Sequence, residues 1–511
     1  MATEIKETER KYEAPPGVPL PGLDGLPGVA AESAPEEQRL AARYFDTDDL
    51  RLIRGGVTLR RREGGSDPGW HLKLPMGADT RREIQYPLSR ATRQVPRELA
   101  TLVRVFTRGE ALRPVAEIEV VRQRRVLLDQ AGDSLAEVVA DDVSATTMGD
   151  EAGLSRWHEV EVELTGGGAG LLAAADRRLR HGGLRPAGRQ AKLERALAGL
   201  LPQARPGTGR TRRRQPPHPT AADVVLGYAG DQVSAIMFLD PLVRRDAPDA
   251  VHQMRVATRR LRSTLKSFRG VLREKDIERV GGELKWLGDL LGDARDAEVL
   301  AGHVRDGLDR LPPELVLGPV HARVRAHFAP IGAKARREVV KALDGDRYLA
   351  LLDALDTLLT DPPLTEAAGR PADEVVPGVV RKAERRLRRR MRRALRTPAG
   401  PGRDTALHEA RKAAKYVRYA AEAAAPAFGR QAARLAKRVK KLQSALGDHH
   451  DGVVARAQVR GLGVHAHLAG ENAFSYGILY EQDACQAAGQ ERRARDAWKR
   501  ATRPGVLGWL G

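Results

Sequence analysis

The sequence predicts an α+β multidomain chain: a strand-rich N-terminal domain followed by an all-α domain. Three observations carry this. Residues 1–165 break into short alternating segments bounded by Gly, Pro or Asp, the pattern of strands and turns. After residue 220 the apolar spacing is helical throughout. Charge divides at the same place. Residues 1–200 carry 30 basic and 31 acidic side chains, whereas the rest carries 57 against 36, so the whole excess behind the net +20 lies in the helical part. Such asymmetry points to a second domain facing a polyanion: nucleic acid, anionic lipid or polyphosphate.

A chain of 511 residues with 41% hydrophobic content suits more than one domain with real cores. The single cysteine, Cys485, excludes an internal disulfide and fits a reducing compartment. The N-terminal segment, with Glu4, Glu7 and Glu9, lacks the apolar core of a signal peptide. No apolar run approaches the ~18 residues of a membrane span. The expectation is a soluble, cytoplasmic protein without a membrane partner.

The strands are expected at 4–12, 57–63, 69–75, 81–88, 115–128, 134–141 and 157–164. "REGGSDPGWHLKLP" and "VLLDQAGDSLAEV" read as hairpins. A helix-like stretch, Leu171–Arg180, follows the last strand, and another begins near Arg189. Residues 202–219 are rich in Pro, Gly and Arg and read as a linker. The expected organisation is domain 1–200, linker 201–219 and helical domain 220–500.

The helical part contains a repeat. "VHQMRVATRRLRSTLKSF" holds His252, and "LHEARKAAKYVRYAAEAA" holds His408, 156 residues later. "LGDARDAEVL" holds Asp293 and Asp296; "LGDHHDGVVA" holds Asp448 and Asp451, each 155 residues later. Two motif pairs at one offset predict a duplicated helical unit.

On a strand, alternate side chains share a face. Glu7, Glu9 and Lys11 then point one way, as do Glu159, Glu161 and Glu163 in "WHEVEVEL", and Glu137 and Asp141 in "SLAEVVADDV". Basic strands stand against them: Arg60 with Arg62, Lys73 between two leucines, and Arg122 with Arg124; Lys192 lies in the helix beyond. Taken singly, each strand fits a solvated, salt-bridged face. Together they fit a closed sheet with a polar interior. Carboxylates there would hold a hard divalent cation, and Arg and Lys would hold phosphate oxygens. That inventory suits phosphoryl transfer.

Glu7-x-Glu9-x-Lys11, "ARYFDTDDLRLIRGGVTLRRREGG", "GWHLKLP", "AEVVADD" and "EVEVEL" resemble the CYTH domain of the triphosphate tunnel metalloenzymes. The resemblance implies an eight-stranded antiparallel β-barrel, the tunnel, that binds triphosphates with Mg²⁺ or Mn²⁺. It implies Glu7, Glu9, Asp141, Glu159 and Glu161 as metal ligands, with Glu163 an alternative in the last strand. It implies Lys11 near the attacked phosphorus, and Arg60, Arg62, Lys73, Arg122, Arg124 and Lys192 as a phosphate clamp. Two positions depart from the pattern: Glu119 stands where a further arginine is expected, and no serine precedes Lys192.

On a helix, steps of three and four stay on one face. His252, Arg255, Arg259, Arg262 and Lys266 form one such stripe, and His408, Arg411, Lys415 and Arg418 form its counterpart. "RKAERRLRRRMRRALR" adds a face of Arg381, Arg385, Arg388, Arg392 and Arg396. Like charges at this spacing repel, so a bound polyanion is a natural compensation. These stripes and the LGD-x-x-D motifs resemble the CHAD domain, a pair of pseudo-symmetric helical bundles that binds inorganic polyphosphate. The resemblance implies a polyphosphate site built from both stripes together with Arg385 and Arg388. The aspartates are expected to stabilise helix ends or bundle contacts.

The reading is a Mg²⁺- or Mn²⁺-dependent hydrolase of triphosphate or polyphosphate phosphoanhydrides, tethered to polyphosphate and able to associate with its granules. The alternatives are a non-catalytic polyphosphate-binding protein, a thiamine triphosphatase or an adenylyl cyclase. Nucleic acid is disfavoured as the specific partner, because aromatics make up only 4% and no base-reading motif appears.

Overall fold

The computed structural model describes residues 3–15, 19–65, 67–75, 80–88, 94–149, 152–187, 191–201, 216 and 218–511. Most of the expected linker, residues 202–215 and 217, lies outside the described residues. The chain forms two units, 1–210 and 211–511.

The first unit is a closed eight-stranded antiparallel barrel. Its strands are β1 (Thr3–Glu13), β2 (Glu36–Asp46), β3 (Thr58–Glu63), β4 (Gly69–Pro75), β5 (Thr80–Pro87), β6 (Arg113–Leu128), β7 (Ser134–Thr147) and β8 (Leu154–Leu164). Around the ring they run β1–β5–β4–β3–β2–β6–β7–β8. β1 closes it: Thr3–Thr8 pair with β5, and Glu9–Glu13 pair with β8.

Strand β2 was not expected from the sequence. "EEQRLAAR" is built of strong helix formers. Pairing with β3 on one side and β6 on the other overrides that preference. Helix α1 (Arg97–Thr107) was also not anticipated.

Two apolar clusters frame the barrel. Outside, α2 (Ala169–His181) lays Leu171, Leu172, Ala175 and Leu179 against Tyr12, Val138, Val160 and Val162. At one end, Tyr44, Ile118, Val120, Val143, Ala145 and Trp157 pack around Leu193 and Leu197, from α3 (Lys192–Ala196) and its cap. Register places those strand residues on the inward face. One end of the tunnel is therefore filled by side chains, and the polar interior begins beyond them.

After β2 the chain turns on Asp46, whose fully buried carboxylate accepts the N–H groups of Thr47, Leu52 and Ile53 at 2.7–2.9 Å. Asp46→Ala strands three buried donors and is expected to destabilise the barrel by about 3 kcal/mol. Urea unfolding of the variant measures it.

The second unit is helical and duplicated. The first half runs α4 (Ala221–Arg244), α5 (Ala250–Ser267), α6 (Glu274–Asp309) and α7 (Val320–Leu343). After α8 (Asp346–Thr360), the second half runs α9 (Ala372–Arg396), α10 (Pro401–Leu468) and α11 (Phe474–Ala501). α10 is broken at Gly429, φ 58°, which corresponds to the break between α5 and α6. The halves share a core: Val304, Leu308, Val324 and Phe328 meet Val459, Leu462, Tyr476 and Leu479. Among the described residues no helix is long and apolar enough to cross a membrane.

Candidate active site and candidate anion site

Register fixes which side chains enter the tunnel. Glu9 lies opposite Glu163, Lys11 opposite Glu161, Lys73 opposite Glu83, Arg60 opposite Tyr44, Arg122 opposite Asp141, and Asp141 opposite Glu159. Next to the apolar plug, carboxylate oxygens of Asp141, Glu159 and Glu161 come within 4.8 Å of one another, all three residues buried. The Lys192 ammonium sits among them, 2.8 Å from Asp141 and 2.6 Å from both Glu159 and Glu161. Arg122 forks onto Asp141 at 2.7 and 2.8 Å. Lys11 bonds Glu161 and lies 3.6 Å from Glu9. Trp157 Nε1 donates to Glu159 Oε2 at 2.6 Å.

A second cluster forms where β1 meets β5 and β4. Lys73 binds Glu7 at 2.7 Å and Glu83 at 3.2 Å. Glu83 in turn bonds His71, whose Nε2 faces the Asp67 carbonyl at 2.9 Å. Arg60 donates to Tyr44 Oη at 3.3 Å, and Arg62 pairs with Asp67 at 2.9 Å. Arg124, farther from the plug and partly exposed, reaches Glu36 and Glu137.

The predicted metal set is therefore divided. Asp141, Glu159 and Glu161 converge, while Glu7 is engaged by Lys73 and Glu9 stands beside Lys11. The basic residues line the same interior, most of them paired with carboxylates, and Lys192 faces three. Three residues were missed: Glu83, His71 and Tyr44. Glu83 alternates with Arg81 in "TRREIQYP", a signal equal to that of the strands that were read.

Burial sets the electrostatics, and neighbours correct it. Burial pushes Glu7 up to about 8 against the pull of Lys73. It lifts Glu163 to about 7, also against Lys73. At Glu83 burial is overcome by Lys73 and the His71 hydrogen bond, which hold the carboxyl well below its usual range. At Glu161 burial is overcome by Lys11 and Lys192. Burial and the neighbouring Arg60 lower Arg62 to about 10.

A divalent metal fits the triad on two observations. Its donors are three buried carboxylates, the oxygen ligands that Mg²⁺ and Mn²⁺ take. In addition Glu159 Oε1 is buried and, among the described residues, has no hydrogen-bond partner despite the nearby ammonium.

In the helical unit both stripes converge. Lys415 and Arg411 each feel the charges of Arg255 and Arg259 from the other half. Arg255 pairs with Asp296 at 2.9 Å, and its counterpart Arg411 pairs with Asp451 at 3.8 Å. Each guanidinium lies over a glycine, Gly292 or Gly447, where a Cβ would stand 3.4–3.5 Å away. The LGD-x-x-D motifs thus lie mid-helix rather than at helix ends, and their last aspartate orients the stripe arginine. Arg259 donates to Tyr419 Oη at 3.0 Å. Among the described residues, Nδ1 of His252, Nδ1 of His408 and Nε of Arg411 are buried without hydrogen-bond partners. The His408 ring packs on His450, centroids 4.1 Å apart. Burial, then His450, lowers His408 to about 4.

The stripes are not buried along their whole length. Arg262 and Lys266 are exposed, Lys266 lying over Tyr416 at 5.8 Å. Lys266 lies fourteen positions, ~21 Å of helix, beyond His252 and still reaches α10 of the other half at Tyr416. Arg418 is held by Glu422 at 2.7 Å. Arg388 turns to Glu384 in its own helix at 2.8 Å, and Arg385 is exposed. His450 and Arg295, which acts on His252, were missed, although both lie within the repeated motif.

A barrel with this interior and a duplicated helical unit with this basic centre define the class. The CYTH domain model matches residues 6–183 and the CHAD domain model residues 227–460. A Mycobacterium tuberculosis protein, Rv2226, is 39% identical over 499 residues, covering 94% of this chain and 93% of its own. The chain belongs to the family that joins a CYTH domain to a CHAD domain. Among solved structures, PptA from Streptomyces chartreusis is 22% identical, covering 55% of this chain and 99% of its own, with a TM-score of 0.47. The CHAD domain from the plant Ricinus communis is 24% identical, covering 57% and 97%, with a TM-score of 0.45.

Proposed function

We propose that the barrel hydrolyses a phosphoanhydride of inorganic triphosphate or a related triphosphate, with Mg²⁺ or Mn²⁺, and that the helical unit binds inorganic polyphosphate. The observation that carries the first half is the buried carboxylate triad inside one closed barrel whose interior strands also carry Arg60, Arg62, Lys73 and Arg122. Asp141, Glu159 and Glu161 would hold the metal, which when bound neutralises phosphate charge and polarises the anhydride. Arg60, Arg62, Lys73, Arg122 and Arg124 bind phosphate oxygens and place the chain along the tunnel. The filled end makes entry one-sided, so a terminal phosphate reaches the triad first. Lys11, between Glu9 and Glu161, orients the attacking water. Excluding bulk water strengthens each of these charge interactions.

Phosphate release from tripolyphosphate by the full chain, with Mg²⁺, Mn²⁺ or EDTA, tests this. Metal-dependent release is expected; no release with either metal would leave polyphosphate binding as the remaining activity.

The helical reading rests on unpartnered nitrogens at a basic centre formed by both halves. It carries a pH signature. Burial, then Arg259 and Arg411, lower Lys415 to about 7. A bound polyanion favours the ammonium, so above about pH 7 binding takes up a proton. Affinity for polyphosphate is then expected to fall as pH rises, by at most ~10-fold per unit. Calorimetry across that range measures the slope, and Lys415→Arg is expected to flatten it.

A further inference from the structure

Resting on the metal-dependent reading of the barrel, we propose that Lys192 is an internal counter-cation of the metal site. It occupies the carboxylate triad when no metal is bound, leaves when metal enters, and is then free to bind phosphate.

The geometry is specific. Lys192 stands at the start of α3, whose Leu193 is built into the apolar plug. Its backbone is thus anchored beside the triad while its four-carbon stem can turn. The ammonium is 2.6–2.8 Å from all three carboxylates and buried to 8% exposure. This is ion-contact distance, and the same three carboxylates are the ones that would ligate metal. Ammonium and metal cannot share that space.

The fit of the ammonium is also incomplete. An ammonium directs three N–H bonds, and among the described residues Glu159 Oε1 has no hydrogen-bond partner although it is 2.6 Å from Nζ. A divalent cation is not directional in this way and carries twice the charge. Lys192 therefore quenches the repulsion of three crowded carboxylates and remains displaceable.

The consequence is linkage. Metal entry has to displace an occupant, which lowers apparent metal affinity by the fraction of time the triad is open. A triphosphate that accepts the released ammonium holds it away from the triad. Metal and substrate then favour each other's binding reciprocally. The phosphate role expected for Lys192 from sequence belongs, on this account, to the loaded state.

Two measurements on the full chain test this. In the first, Lys192 labelling by an amine-reactive acylating reagent is followed by mass spectrometry during a Mg²⁺ titration of the wild type without phosphate. Labelling is expected to rise several-fold, with the same midpoint as metal binding. In the second, Mn²⁺ binding is followed by the electron paramagnetic resonance of free Mn²⁺. Lys192→Met is expected to bind about 10-fold or more tightly than wild type, because the occupancy penalty is gone. Arg124→Gln, which removes a charge paired with Glu36 and Glu137 rather than with the triad, is expected to change affinity less.

Metal binding with unchanged Lys192 labelling would overturn the proposal and leave the metal centre intact. Lys192→Met affinity equal to or weaker than that of wild type would do the same. Absence of Mn²⁺ binding to both wild type and folded Lys192→Met would overturn the metal reading itself and this proposal with it. If Lys192→Met does not fold, the labelling titration on wild type decides alone.

Discussion

Glu161→Gln is expected to leave a folded barrel that has lost metal-dependent phosphate release by ~10²–10³-fold. Glu161 is where the interior charges meet: Lys192 at 2.6 Å, Lys11 in contact, and Arg122 at 3.9 Å. Glutamine keeps the volume and one acceptor oxygen but removes the charge that draws a divalent cation. Asp141 and Glu159 still hold Lys192, so the β7–β8 wall keeps its ion pairs. The loss is expected to be partly recovered at high Mn²⁺ if it lies in metal affinity alone. Circular dichroism confirms the fold, and phosphate release against metal concentration reads the effect. Wild-type turnover in this variant would mean that the triad is not the metal centre.

Arg255→Ala/Arg411→Ala is expected to weaken polyphosphate binding by ~10²–10⁴-fold, at about 1.5–3 kcal/mol for each charged hydrogen bond lost. The two arginines occupy equivalent places in the halves, and each is oriented by an aspartate of the repeated motif. Removing both also strips two of the charges that depress Lys415, so the pH slope is expected to move to higher pH. Tripolyphosphate hydrolysis by the barrel is expected to be unchanged. Fluorescence anisotropy with labelled polyphosphate at fixed salt reads the first effect, since exposed charge contacts are screened. Unchanged affinity would place the polyanion elsewhere on the basic surface.

Much of the chemistry was legible because two periods carry it. Period two put Glu7, Glu9 and Lys11 on one face of β1, and Glu159, Glu161 and Glu163 on one face of β8, before any partner was known. Steps of three and four put His252, Arg255 and Arg259 on one face of α5. The offset of 155–156 residues exposed the duplication.

β2 escaped because its helix-forming composition conceals a strand that only its two neighbours impose. Glu83 shares a face with Arg81, and His71 with Lys73, so their alternation was legible; only register, which sets Glu83 against Lys73, shows that they meet. Spacing put Arg262, Lys266 and Arg385 on the basic faces; their exposure, and the approach of Lys266 to Tyr416 of the other half, are set by the helix crossings.

The amino-acid sequence by itself determined which side chains share a face, since that depends only on local backbone geometry. The tertiary structure alone decided which faces meet. Asp141, Glu159 and Glu161 become a triad through the β7–β8 register. Lys192 enters it because the plug helix returns across the barrel end. Arg255 and Arg411 approach because two helices 156 residues apart cross. Those contacts depend on strand register and helix crossing, and residues so far apart in the chain carry no local pattern that records them.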